Sequence, residues 1–150
     1  MRKFLPIMMP IAELVVGFIL PRDSYIKRTC WSTNPPACSF DFSPSPVFFL
    51  AVALPFIVVI TLALWRRWKE TAVLSISASI ALLVGLVFLY PRQGVSLLIV
   101  VTLSTLLPWG LSTAVKTPIK KAEWSLWVAS AVLSFLTVWG VVQMGMGQAV

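Results

Sequence analysis

Three side chains in this sequence have the types and settings that could do chemistry: Cys30, Cys38 and Glu13. The two cysteines bracket residues 31–37, a segment stiffened by Pro35 and Pro36. Two thiols this close, in a loop facing an oxidising compartment, are expected to form a structural disulfide. Closing a loop of this size would stabilise the chain by about 2.5 kcal/mol on the chain-entropy model. Free thiols, or a redox-active pair feeding a quinone, are the other readings. The redox reading calls for a Cys-x-x-Cys pair, and the spacing here is wider.

Glu13 stands alone inside a long apolar run. An ionised carboxylate in hydrocarbon costs at least about 2.5 kcal/mol, so such a residue needs a reason to be there. Three are open: a hydrogen bond to a hydroxyl on a neighbouring helix, a contact with another subunit, or ion or proton handling. Ser104, Thr105, Ser130, Ser134 and Thr137 are the hydroxyls placed to reach it within the chain.

The vocabulary of most catalysts is missing. The chain has no histidine, which removes histidine-ligated haem, histidine-bearing metal sites and a histidine base. It has no phosphate-binding glycine loop and no dinucleotide fingerprint. No series of embedded charges forms a proton relay. The sequence therefore gives no catalytic residue, no metal site and no cofactor to expect.

The elements that must position Glu13 and the cysteines are read from hydropathy. Hydrophobic residues make up 59% of the chain and charged residues 11%. A soluble domain carries about 25% charged residues, so this composition cannot cover a water-facing surface. Five apolar runs stand out, over residues 4–20, 47–65, 71–90, 94–115 and 124–144. Crossing a hydrocarbon core takes about 20 residues, which the last four runs meet. The first is shorter and would need little tilt or a thin bilayer. Its opening Arg2-Lys3 resembles a signal peptide, but Pro10 and Glu13 interrupt the apolar stretch and no small-x-small site follows. A retained helix is expected; a four-span arrangement, with this segment a re-entrant or surface helix, is the alternative.

The fold class expected is all-α: a single domain, residues 1–150, forming a polytopic bundle of about five transmembrane helices. One long extracytoplasmic loop, 21–46, would be pinned by the disulfide. Short links at 66–70, 91–93 and 116–123 force neighbouring helices antiparallel. Pro10, Pro55 and Pro108 mark expected kinks.

Small residues recur at helix-packing intervals. Ser77, Ala81 and Gly85 share one face, as do Ser130 and Ser134. Such spacing permits close backbone approach, within the chain or to a partner's helix.

The net charge of +7 does not point to nucleic acid, because the basic residues sit in small groups at the ends of the runs. Eight of them (Arg2, Lys3, Arg66, Arg67, Lys69, Lys116, Lys120, Lys121) fall on one side, and Arg22, Lys27, Arg28 and Arg92 on the other. The positive-inside rule then places the N-terminus in the cytoplasm, with the 21–46 loop and the C-terminus outside a cell membrane. Helix packing is the main thing such a chain offers. The function expected is a non-catalytic accessory or structural subunit of a larger membrane complex, of a respiratory or other energy-transducing kind. Its partners would be the lipid bilayer and other membrane subunits. A small channel or transporter component using Glu13 is the alternative.

Overall fold

The structure is a computed structural model describing residues 2–88 and 93–148. The expected 91–93 turn, with Arg92, and the Tyr90 end of the third run lie at least partly outside the described residues.

A 3₁₀ turn over Arg2–Phe4 leads into α1, Leu5–Ile19. Pro6 falls in the first turn, where its missing N–H costs nothing. The helix has 15 residues, two fewer than the 4–20 run. Leu20 is extended (φ −68°, ψ 128°) because it precedes Pro21, whose ring disfavours helical backbone before it. At about 1.5 Å per residue, α1 is about 23 Å long and falls short of a hydrocarbon core of about 30 Å.

The 21–46 segment departs from an all-α fold. Strands β1 (Ile26–Trp31) and β2 (Ala37–Phe42) form an antiparallel hairpin. Its register pairs Ile26 with Phe42 and Cys30 with Cys38. The tip contains a cis Asn34–Pro35 bond. Main-chain bonds from Ser43 N to Tyr25 O (2.9 Å) and Ser45 N to Ser24 O (2.8 Å) close its base.

Helix α2, Pro46–Trp65, starts on a cap: the Ser45 Oγ accepts from Phe48 N, and Pro46 occupies the first turn. It ends with Trp68 N donating to Ala63 O and Arg67 N to Leu64 O, while Arg67 takes φ 58°. That is a Schellman stop with arginine where glycine is usual. Helix α3, Lys69–Val87, follows at once. Helix α4, Gln93–Val115, ends the same way, with Lys116 at φ 55° and Thr117 N donating to Ser112 O. Helix α5, Lys121–Gln148, is the last described element. Helices α2, α3, α4 and α5 are each long and apolar enough to cross a membrane. Pro10, Pro55 and Pro108 lie inside continuous helices.

Helix α3 occupies the middle of the bundle, packed on α2, α4 and α5. Phe56, Leu74, Leu82, Leu86, Val100 and Phe135 form the centre of the core. The expected small-residue face of α3 turns into the bundle. Ser77, Ala81 and Gly85 are all buried. A Cβ on Gly85 would collide with the Val100 Cγ2 of α4 and lie 3.5 Å from the Phe135 ring of α5.

Cross-contacts fix which ends lie together. Tyr25, just past α1, packs on Phe48 at the start of α2 and against Gly145 near the end of α5. At the opposite end, Glu70 at the start of α3 accepts from the Lys120 backbone N–H at 2.8 Å, just before α5. The helices therefore alternate in direction, and α1 runs parallel to α5.

Candidate functional site

The fold builds two polar features on this apolar frame. One is the hairpin at the α1/α2 end. Opposed positions in the register bring Cys30 and Cys38 to a Cα separation of 4.0 Å, and they form a disulfide. Arg28 lies over it. Its Nε is 3.1 Å from the Cys30 Sγ and its Nη2 is 3.5 Å from the Cys38 Sγ, with the guanidinium 5.8 Å from the Phe40 ring centre. Both cysteines are exposed. Below them, Tyr25 and Phe42 pack on Phe48, with ring centres 5.5 and 5.8 Å away, and seat the hairpin on the bundle. Burial raises the Tyr25 phenol above its ordinary pKa, and the Arg22 guanidinium opposes that shift. Sequence reasoning passed over Arg28 and Tyr25. The signal for Arg28 was its place two residues before Cys30 in an alternating strand.

The other feature is internal. Glu13 is fully buried at the centre of the inward face of α1. Neither of its carboxyl oxygens has a hydrogen-bond partner among the described residues. The five hydroxyls considered as partners divide into two groups. Ser104, Thr105 and Thr137 each donate to a carbonyl of their own helix, three or four residues back. Ser130 and Ser134 are buried, and their hydroxyls have no partner among the described residues.

Helical geometry places those two serines on the side of α5 that meets α1. A Cβ on Gly17 would stand 3.0 Å from both methyls of Val141, so Val141 faces α1. Positions seven and eleven residues back in an α-helix return to within about 20° of the same face. Those positions are Ser134 and Ser130. On α1, Glu13 lies one turn below Gly17.

A third feature is a groove of about 360 Å³ between α1 and α2. Its lining, including Met8, Met9, Ala12, Leu54 and Val58, is wholly apolar. It opens outward beside exposed Leu50, Leu54, Ile57 and Val58 of α2.

Charges segregate to the two ends. Arg66, Arg67, Lys69, Lys116, Lys120 and Lys121 gather where α3 and α5 begin, and Arg22, Lys27 and Arg28 at the hairpin end. No group of three or more cysteine, aspartate or glutamate side chains that could hold a metal ion occurs among the described residues. No protein-family model matches the chain, and no curated protein or solved structure shows significant similarity to it.

Proposed function

We propose that this protein is a non-catalytic accessory subunit of a larger integral membrane assembly. The observation that carries the reading is the apolar groove between α1 and α2. It continues into an exposed face of α2 that this chain leaves uncovered. Only one stripe of α2, through Phe48, Val52, Phe56, Val59 and Ala63, is buried. A transmembrane helix of a partner subunit is the occupant proposed. A continuous apolar face beside a groove offers helix–helix packing, which drives association in lipid.

In this reading α2 to α5 cross the cell membrane and α1 enters it alongside α5. The strongly basic end lies in the cytoplasm, and the hairpin and the C-terminus lie outside. A reporter active only in the cytoplasm, fused after Val150, should give no signal. A strong signal there would invert the arrangement.

The decisive test is purification of the whole protein in mild detergent, with cysteines introduced at Met8 and Leu54 for crosslinking. Capture of a distinct membrane polypeptide through both positions is expected. A homo-oligomer that carries ion flux in liposomes, with the flux lost in Glu13→Gln, would replace this reading with the channel.

A further inference from the structure

We propose that the hairpin end of the bundle holds one anionic phospholipid, with its phosphodiester between Arg22 and Arg28 and its acyl chains starting between the C-terminal ends of α1 and α5. This rests on the reading that the bundle crosses a membrane, and it uses no part of the groove between α1 and α2.

Two cavities at this end share a wall. One, of about 290 Å³, lies between the Arg22–Ser24 turn and the hairpin and is lined by Arg22, Asp23, Ile26, Arg28 and Phe40. The strand register explains that lining. Ile26, Arg28 and Phe40 alternate to one face of the hairpin, while Lys27 and Asp41 pair on the other. The second cavity, of about 130 Å³, lies between the ends of α1 and α5. Arg22 lines both. The two also converge on Gly145: the Tyr25 hydroxyl and the Ile26 Cδ1 lie 2.8 and 3.2 Å from where its Cβ would stand.

The first cavity has the charge for a phosphodiester. Two guanidiniums against one carboxylate leave it with one net positive charge. A phosphodiester carries one negative charge and makes it neutral, whereas a doubly charged phosphate would stand unbalanced beside Asp23. Arginine offers the paired N–H donors that phosphate oxygens accept. Arg28 is oriented here by uncharged partners, the sulfurs of Cys30 and Cys38 and the Phe40 ring. Sulfur is a weak acceptor, so a phosphate oxygen displaces it at little cost.

The second cavity has the character for the rest of a lipid. Its apolar wall is Gly17, Phe18, Leu20, Val141 and Met144. Phe18 and Met144 are exposed, so the cavity opens sideways, toward lipid in a membrane. Tyr25 is buried, with its hydroxyl at Gly145 on the same wall. Guanidiniums, then a phenol, then an apolar wall follow the order of phosphate, ester and acyl chain along a phospholipid. A soluble phosphate ester would leave the apolar wall unused.

The test uses the full chain, delipidated in a non-ionic detergent. Phosphatidylglycerol should raise the melting temperature saturably and appear in native mass spectra as one adduct per chain. Phosphatidylcholine, and glycerophosphoglycerol as the headgroup without its chains, should do neither at the same concentration. Arg28→Gln removes one charge-assisted contact and should raise the half-saturating lipid concentration about tenfold. Arg22→Gln/Arg28→Gln should abolish the adduct. Lys27→Gln, on the opposite face of the hairpin, should leave both readouts unchanged. If the double variant does not fold, Arg28→Gln against Lys27→Gln carries the test. Equal stabilisation by phosphatidylglycerol and phosphatidylcholine overturns the proposal, as does an adduct that survives in the double variant or equal behaviour of Arg28→Gln and Lys27→Gln. Equal binding of glycerophosphoglycerol overturns it too, by making the ligand a soluble phosphodiester. The subunit role stands in each case, because the groove shares no lining residue with either cavity. A chain that stays soluble without detergent would instead overturn the membrane reading, and the lipid with it.

Discussion

The contact at Gly85 allows a sharp test of the helix packing. In Gly85→Ala the new methyl falls inside the van der Waals envelope of the Val100 Cγ2, with the Phe135 Cδ2 and Cε2 at 3.5 Å. Val100 is fully buried, and a valine in a helix has one strongly preferred rotamer. The methyl therefore has nowhere to swing, and α3 and α4 must separate. Overpacking of this kind costs about 1–3 kcal/mol. Alanine also improves helix propensity over glycine by up to about 1 kcal/mol, which masks part of the loss. Gly140→Ala removes that ambiguity, because a Cβ there meets nothing within 4 Å. Both variants share the propensity gain, so their difference isolates packing.

Unfolding in detergent should place Gly85→Ala below Gly140→Ala by about 1–3 kcal/mol. Adding Val100→Ala removes the offending methyls and should recover part of the loss, with a coupling energy of about 0.5–3 kcal/mol. Two alanine variants of equal stability, or a double variant that is simply additive, would refute the close approach of α3 and α4.

Three further outcomes are expected. Alkylation without reductant should modify neither Cys30 nor Cys38, and two labelled thiols in the native protein would remove the disulfide; replacing both by Ser should make the hairpin protease-sensitive while helical circular dichroism is retained. Glu70→Ala removes the acceptor for the Lys120 N–H and should cost about 1 kcal/mol, with unchanged stability showing that the tie is unimportant. Glu13→Leu should be at least as stable as wild type, since it deletes a buried polar group that has no hydrogen-bond partner among the described residues; marked destabilisation would mean that the carboxyl is already satisfied internally.

The helices were legible because hydropathy alone decides them. Four long apolar runs joined by links of only three to eight residues (66–70, 91–93 and 116–123) leave an antiparallel bundle as the only compact answer. The cysteine pair was legible from its spacing. The hairpin was not. A two-stranded ribbon is marginal on its own, and this one is held by a crosslink and by Tyr25 and Phe42 seated on Phe48. The opposed aromatics are far from the turn and say little locally. The alternation of Phe40 and Phe42 with Ser39 and Asp41 was the usable clue. The short end of α1 could have been read from Leu20-Pro21. The polar seam could not, because it depends on the first helix lying parallel to the last and on the rotation of α5 about its axis.

That arrangement makes α1 the most conditionally held part of the fold. It is too short to cross a membrane by itself and packs more closely on α5 than on α2. On one flank it meets Val141 of α5; on the other it borders the open groove. A partner helix in the groove would favour the docked position of α1. Gly17→Leu puts a side chain where a Cβ already stands 3.0 Å from the Val141 methyls and should loosen α1 from α5. Partner capture should weaken in that variant, while Gly140→Leu, where a Cβ meets nothing within 4 Å, should leave it unchanged. Equal capture by the two variants would show that the two flanks of α1 act separately.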